Sequence, residues 1–236
     1  MALILSIETG TDICSVALSN DGELMALRES NEGRDHAKKV ALFVDELLKE
    51  TGVQPADLDA IAVGKGPGSY TGLRIGVSFA KGMCYALNIP LIAVGSLDAL
   101  VQVAREDYDA GIVDVEESDW NSASLCPMVD ARRMEVYTQI FDTNGTSKSD
   151  VSAEIITPET FQDIRSNGKL VIFGNGAQKC CEVLPDALYI SITPSARGIV
   201  SLAEQAFNAS QFEDIAYFEP FYLKEFLVIP SKKKLL

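Results

Sequence analysis

Leu3-Ile4-Leu5-Ser6-Ile7-Glu8-Thr9-Gly10-Thr11-Asp12-Ile13-Cys14-Ser15-Val16-Ala17-Leu18-Ser19-Asn20-Asp21-Gly22-Glu23 decides how the chain is read. Ala2 to Glu8 is an apolar run, Ile13 to Ser19 alternates, and Asn20-Asp21-Gly22 is a strong hairpin signal leading into a third strand over 23–29. A three-stranded meander is therefore expected at the amino end. Outward from it, Asp35 is placed to cap a helix in which Val40, Phe43, Val44, Leu47 and Leu48 recur at helical spacing, and Gly52 closes it. Residues 59–64 form a short buried strand, 71–87 a second helix, 91–94 another strand, and Ser96 can cap a helix reaching about Arg105. Three strands followed by helix, strand, helix, strand and helix is an α/β order whose sheet has both antiparallel and parallel pairs.

The remainder of the chain partly repeats this order. Strands are expected at 124–129, 135–141 and 151–156, with Asn144-Gly145 as a hairpin turn. A short helix follows Pro158, then a strand at 169–173, a helix near 178–183, and a last helix from about Ser195 to Asn208 with Ile199, Val200, Leu202, Ala203 and Phe207 on one side. Two units that each begin with a meander suggest a duplication, with the second unit abbreviated. Between them the pattern collapses over 106–121, an acidic stretch holding Trp120, which reads as a linker or exposed excursion. The expected lobes are 1–105 and 106–236.

Composition bounds the function. The 236 residues are 47% hydrophobic and 23% charged, enough for a sizeable core and too apolar for a disordered chain. The 34 acidic and 20 basic side chains give a net charge of −14, which disfavours unaided tight binding to nucleic acid. Glu8, Asp12 and Asp21 interrupt the apolar amino end, so no membrane span is expected there. Met1 to Leu5 has no basic leader or cleavage site, and five cysteines without a CxxC pair suit reduced thiols, so a cytoplasmic location is expected. Cys180 and Cys181 read as small packed side chains.

Several motifs bear on chemistry, each with a plainer alternative. The turn Glu8-Thr9-Gly10-Thr11-Asp12 could cradle a phosphate on successive amides, or simply be a tight turn. Gly66-Pro67-Gly68-Ser69-Tyr70-Thr71-Gly72-Leu73-Arg74 leads a glycine-rich loop into a helix amino terminus. No Lys-Ser or Lys-Thr follows at Walker A spacing, so it also reads as a structural strand-to-helix turn. The helix behind it carries Gly72, Gly76 and Ala80, with Ile75, Phe79 and Met83 beside them. Glycine inside a helix costs about 1 kcal/mol against alanine, so this stripe implies a close neighbour, either within the chain or from another chain. His36, the single histidine, has Val40 four residues on, so no HxxxH metal pair exists; a solvated position is expected for it. Asp130-Ala131-Arg132-Arg133 could hold an anion or form an ion pair with Glu135. Gly174-Asn175-Gly176 marks a turn after a strand. The aromatic tail from Tyr217 to Lys224 is expected to dock on a lobe, and Lys232-Lys233-Lys234 to be solvated.

Taken together, Leu3-Ser6-Ile7-Glu8-Thr9, His36, Leu58-Asp59-Ala60-Ile61, the run Gly66 to Gly76, Pro90-Leu91, Ser96-Leu97, Val129-Asp130-Ala131-Arg132 and Pro220-Phe221-Tyr222-Leu223 occur in the order of a known family. The chain resembles the bacterial TsaB (YeaZ) family, densely over the first hundred residues and sparsely afterwards. The resemblance implies a two-lobed actin/sugar kinase/Hsp70-like fold, a duplicated ribonuclease H-like unit with mixed sheets flanked by helices. It implies a non-catalytic partner of the catalytic paralogue TsaD in making N6-threonylcarbamoyladenosine at position 37 of tRNA. A TsaE-type ATPase is the expected third member, with a homodimer in isolation and tRNA reached only through the complex. No catalytic residue and no metal ligand is expected. The partner interface is placed on Gly72, Ile75, Gly76, Phe79, Ala80 and Met83. The chain is expected to need no cofactor of its own; Thr9, Gly10 and Thr11 stand as candidate nucleotide contacts, with a nucleotide at the complex interface left open. An ATP-dependent phosphotransferase of the same fold, using Glu8, Thr9, Thr11 and Asp130, is the rival of a different class; the missing glycine in the Asp130 turn argues against it.

Overall fold

A computed structural model describes residues 2–32 and 35–224. The Lys232–Lys234 run lies outside the described residues. The amino-terminal meander forms as its alternation requires: β1 (Leu3–Glu8), β2 (Cys14–Asn20) and β3 (Glu23–Ser30) pair antiparallel, with Glu8 opposite Ser15 and Leu3 opposite Asn20. After α1 (His36–Thr51), β4 (Ala60–Gly64) pairs parallel to β1; after α2 (Tyr70–Leu87), β5 (Leu91–Val94) pairs parallel to β4. The first sheet has the order β3-β2-β1-β4-β5.

The second unit repeats that order. Following α3 (Ser96–Asp109) and α4 (Glu117–Asn121) come β6 (Ala123–Asp130), β7 (Glu135–Thr138), β8 (Ser152–Ile155), α5 (Gln162–Asn167), β9 (Lys169–Phe173), β10 (Leu188–Tyr189) and α6 (Arg197–Asn208). Its sheet runs β10-β9-β6-β7-β8, so β6 takes the place of β1, β7 of β2 and β9 of β4. The duplication expected from the two meanders is thus present strand for strand, and the second copy is abbreviated to strands as short as two residues.

Both faces of the central strands of each sheet are covered, because those strands carry apolar side chains on both faces. Leu5, Ile7, Val16, Leu18, Ile61 and Val63 pack under Val40, Leu47, Val77 and Ala80 of α1 and α2. The opposite face, with Ile4, Ala60, Ala62, Ile92 and Val94, is covered by Ile199 and Ala203 of α6. Reciprocally, Leu97, Leu100, Val101 and Ala104 of α3 pack against Leu125, Val129, Val171 and Phe173 of the second sheet. The two units therefore exchange helices: the helix that follows the first sheet lies on the second, and the last helix returns to the first. A division at 105/106 falls inside α3. The α3–α6 crossing is close, since a Cβ on Gly198 would overlap the Ala99 carbonyl and meet Val103. Arg197 forks both carboxylate oxygens of Asp107 at 2.8 Å and reaches Glu106 at 3.2 Å, fixing the same crossing.

Local expectations are corrected at four places. The stretch 106–121 is not an open linker: α3 continues to Asp109, and Trp120 on α4 is buried and stacked on Tyr108 with ring centroids 4.1 Å apart. The ordering force is this aromatic pair, which the surrounding acidic residues conceal in the sequence. Residues 178–180 form a single 3-10 turn in place of a helix over 178–183. Asp35 precedes α1 without a capping side-chain bond, and α3 starts after Gly95 with Ser96 already helical. Cys180 is buried and Cys181 half-buried, both as free thiols. No helix among the described residues is long and apolar enough to cross a membrane.

The helix crossing makes a contrasting pair of predictions. Gly198→Ala forces a methyl into the Ala99 carbonyl and is expected to lower the unfolding free energy by about 1–3 kcal/mol. Gly82→Ala on α2, where nothing lies within 4 Å of an added Cβ, is expected to raise it by about 0.5–1 kcal/mol. Urea unfolding followed by circular dichroism measures both.

Candidate functional site

The residues singled out in the sequence converge where β1 and β4 end and α2 and α3 begin. β1 delivers Glu8 into a fully enclosed position, where its carboxylate accepts from the Gly10 amide at 2.7 Å and from Ser96 Oγ at 2.9 Å. Gly64, the last residue of β4, passes directly against it, and any Cβ there would overlap the carboxylate. Burial pushes the Glu8 pKa above its ordinary value near 4.5, opposed by the hydrogen bonds from Gly10, Ser96 and Thr9 and by the charge of His36. Ser96, read as a cap, instead ties the start of α3 to this carboxylate.

The neighbouring donors are also engaged within the chain. Thr9 Oγ1 donates to the Gly72 carbonyl at 2.9 Å, and the Gly10 carbonyl accepts from the Ser69 amide at 2.6 Å. Thr11 Oγ1 accepts from the Ile13 amide. His36 is buried, not solvated, and its Nε2 lies 2.7 Å from the Thr11 carbonyl. A phosphate cradle needs free amides aimed at the ligand. The Gly10 and Thr9 amides are directed to the Glu8 carboxylate, the Thr9 hydroxyl to the Gly72 carbonyl, and the Thr11 hydroxyl accepts locally from Ile13. The Gly10 amide and the Thr9 hydroxyl are therefore not free for a nucleotide phosphate.

The small-residue stripe on α2 faces the same turn. A Cβ on Gly72 would overlap the Thr9 carbonyl, and one on Gly76 would overlap Thr9 Oγ1, while Ala80 is buried in the first core. Gly72 and Gly76 therefore seat the chain's own turn and Ala80 packs on the sheet, so the three do not form a groove for a foreign helix. The sequence could not separate these two, because both require small residues at the same spacing. Ile75, Phe79 and Met83 are half-buried on the flank of the helix. Ile75 and Phe79, with Tyr70, Arg74 and Ser78, line a cleft of about 590 Å³ closed on its other side by Ala37 of α1.

The aromatic tail docks as expected, and its course was not legible in the sequence. The Phe218 side chain packs on the first core, and its carbonyl accepts from Lys81 at 2.9 Å; the Phe221 amide donates to the Lys65 carbonyl at 2.7 Å. The Tyr222 ring lies 4.7 Å from that of Tyr70 at the head of α2. Lys224 then pairs with Glu135 in the second unit. Asp130 is held by Lys179, so the expected Arg–Glu135 ion pair is replaced by two lysine pairs.

Two five-stranded sheets of equal order, with a loop-to-helix constellation at the ends of β1 and β4, define a duplicated two-lobed protein of the actin/sugar kinase/Hsp70 class. The same fold occurs in the activator of the 2-hydroxyisocaproyl-CoA dehydratase from Clostridium difficile, at TM-score 0.50 and 9% identity over 89% of this chain and 96% of that one. The family model described as TsaD, tRNA N6-adenosine threonylcarbamoyltransferase, matches residues 30–227, and the chain belongs to that family. Its similarity extends along the whole of the tRNA threonylcarbamoyladenosine biosynthesis protein TsaB of Escherichia coli, 29% identical over 94% of each chain. YeaZ from Pseudomonas aeruginosa superposes with TM-score 0.75 at 28% identity, covering 94% of this chain and all of that one.

Two outcomes follow from this geometry. Gly76→Ala is expected to destabilise the single chain by about 1–3 kcal/mol, and Thr9→Ala, by removing the overlapping hydroxyl, to recover most of that loss in the double variant; a denaturant double-mutant cycle reads the coupling. Burial favours the protonated Glu8 in the folded chain. Its contribution therefore weakens as pH rises from about 4.5 through its raised folded pKa, by up to about 1.4 kcal/mol per pH unit. Relative to Glu8→Gln, the native chain is expected to lose stability over that interval, measured as the difference in urea midpoints between pH 4 and 8.

Proposed function

We propose that this chain is the non-catalytic partner and activator of a TsaD-type threonylcarbamoyltransferase, acting in the formation of N6-threonylcarbamoyladenosine at position 37 of tRNA. The observation that carries the reading is the similarity to a TsaB protein along 94% of both chains. The chemistry of the site supports it. Glu8 fills the turn where a phosphotransferase needs donors, and His36 is engaged with the Thr11 carbonyl, with the apolar Val40 one turn further on. Asp130, the candidate base of the rival reading, is neutralised by Lys179.

The partner surface is the outward flank of α2 with the adjoining part of α1: Ile75, Phe79 and Met83 beside the cleft, with Tyr70 and Arg74 at its head. Apolar side chains rimmed by polar ones form the composition of a protein interface. The same face serves a homodimer when the chain is alone, and a TsaE-type ATPase completes the cytoplasmic complex, which supplies the grip on tRNA. The chain needs no cofactor of its own.

Reconstitution tests this. The cognate TsaD-type and TsaE-type proteins, a threonylcarbamoyl-adenylate synthase, ATP, threonine, bicarbonate and tRNA are combined with and without this chain, and modified adenosine is read by mass spectrometry. Product only in its presence, with no ATP turnover by the chain alone, is expected; equal product without it overturns the reading. Ile75→Asp is expected to weaken association with the partner by at least about 30-fold, as for a central interface residue, while leaving the melting temperature of the single chain within a few degrees. Light scattering and calorimetry measure the two effects.

A further inference from the structure

The tip of the β6–β7 hairpin carries a charge arrangement that the partner role does not use. Ala131 donates its amide to the Glu135 carbonyl, and Glu135 returns its amide to the Arg132 carbonyl, both at 3.1 Å, so Arg132 and Arg133 stand at the apex. Both have left-handed backbones, φ 73° and 51°. Glycine, asparagine or aspartate suits that region better than arginine, so the backbone alone gives no reason for two arginines here.

The local acids are already taken. Asp130 pairs with Lys179 and accepts from the Arg132 amide, and Glu135 pairs with Lys224. Neither the Arg132 nor the Arg133 guanidinium makes a hydrogen bond or ion pair with any described residue, and both are exposed. Two guanidinium groups without a described partner thus stand on consecutive residues of a chain of net charge −14. The hairpin is also held from two directions: Lys179 reaches the Glu135 carbonyl at 2.7 Å, and Asn175 accepts from the Asp130 amide at 3.1 Å. The pair is consequently presented on a fixed base. No large exposed apolar side chain lies within 130–135; Ile155, the register partner of Glu135 on β8, is exposed at the base of the hairpin and away from the arginine apex. A protein interface would want an apolar centre, whereas a phosphate requires only the charge and the guanidinium fork.

We infer that Arg132 and Arg133 form a contact for the phosphate backbone of an RNA, so that this chain itself touches tRNA within the assembled complex. The inference rests on the reading above that the chain works beside a tRNA-modifying partner. Each phosphate contact releases counterions, so its loss lowers both affinity and the salt dependence of binding.

The test uses the complex of this chain with its TsaD-type partner and fluorescently labelled cognate tRNA. Binding is followed by anisotropy between 50 and 300 mM KCl (roughly the span over which counterion release is read). The double variant Arg132→Asn, Arg133→Asn removes both charges while suiting the left-handed backbone, so the chain should fold at least as stably. Expected are tRNA affinity about 10- to 30-fold weaker near 0.15 M salt and a slope of log K against log salt shallower by about 1.5. Arg132→Lys with Arg133→Lys should retain most of the slope. An intact complex with unchanged affinity and slope overturns the inference and leaves the partner reading standing. A weakened protein complex whose tRNA affinity is unchanged overturns it in favour of an acidic protein surface. Failure of the native chain to join the partner at all overturns both readings together.

Discussion

A single buried carboxylate organises the end of the first sheet. Glu8 is delivered by the central strand to a point where β4, the Thr9–Thr11 turn and the first residue of α3 all meet, and each meets it through a particular small group: the Gly64 backbone, the Gly10 amide and the Ser96 hydroxyl. An enclosed carboxylate is tolerable only when its oxygens are satisfied, which binds these separate segments to one another. The same carboxylate occupies the Gly10 amide, a donor at the centre of that turn. The group that holds the loops together is the group that occupies their donors.

From that point the order propagates along α2. Thr9, positioned beside Glu8, bonds the Gly72 carbonyl and lies against Gly76, so the helix approaches the turn as closely as backbone allows. Its inward face is thereby committed, and the side chains left on the outward flank are Ile75, Phe79 and Met83, with Tyr70 and Arg74 near the start. Tyr70 is in turn packed by Tyr222 of the tail, whose Lys224 reaches the second unit. The outward flank of α2 is therefore joined mechanically to the lobe that carries the β6–β7 hairpin.

The helix exchange explains how two small sheets behave as one molecule. α3 buries its apolar face on the second sheet and α6 on the first, and they cross at Gly198 with Arg197 forked on Asp107. Neither unit covers both faces of its own sheet with its own helices. Much of this was legible. The period-two alternation of the meander, the 3.6-residue period of α1, α2 and α6, and the hairpin turns at Asp21-Gly22 and Asn144-Gly145 follow from local stereochemistry. The stretch 106–121 was not legible, because its order comes from Trp120 stacking on Tyr108 across a dozen residues.

The sequence by itself determined most strands and helices, their order and the repetition of that order, α4 and β10 excepted, since periodicity and turn chemistry act between near neighbours in the chain. It also supplied the ordered set of motifs that placed the chain beside TsaB. Tertiary structure alone decided which way the shared signals pointed. A stripe of Gly72, Gly76 and Ala80 satisfies an internal turn and an external helix equally well on paper, and only the position of Thr9 selects the first. His36 reads as a surface residue until the Thr11 carbonyl is found 2.7 Å away. Glu135 reads as a partner for the nearby arginines until Lys224, 89 residues distant, takes it. In each case the deciding contact joins residues far apart in the chain, where spacing carries no information and only the packed fold brings the groups together.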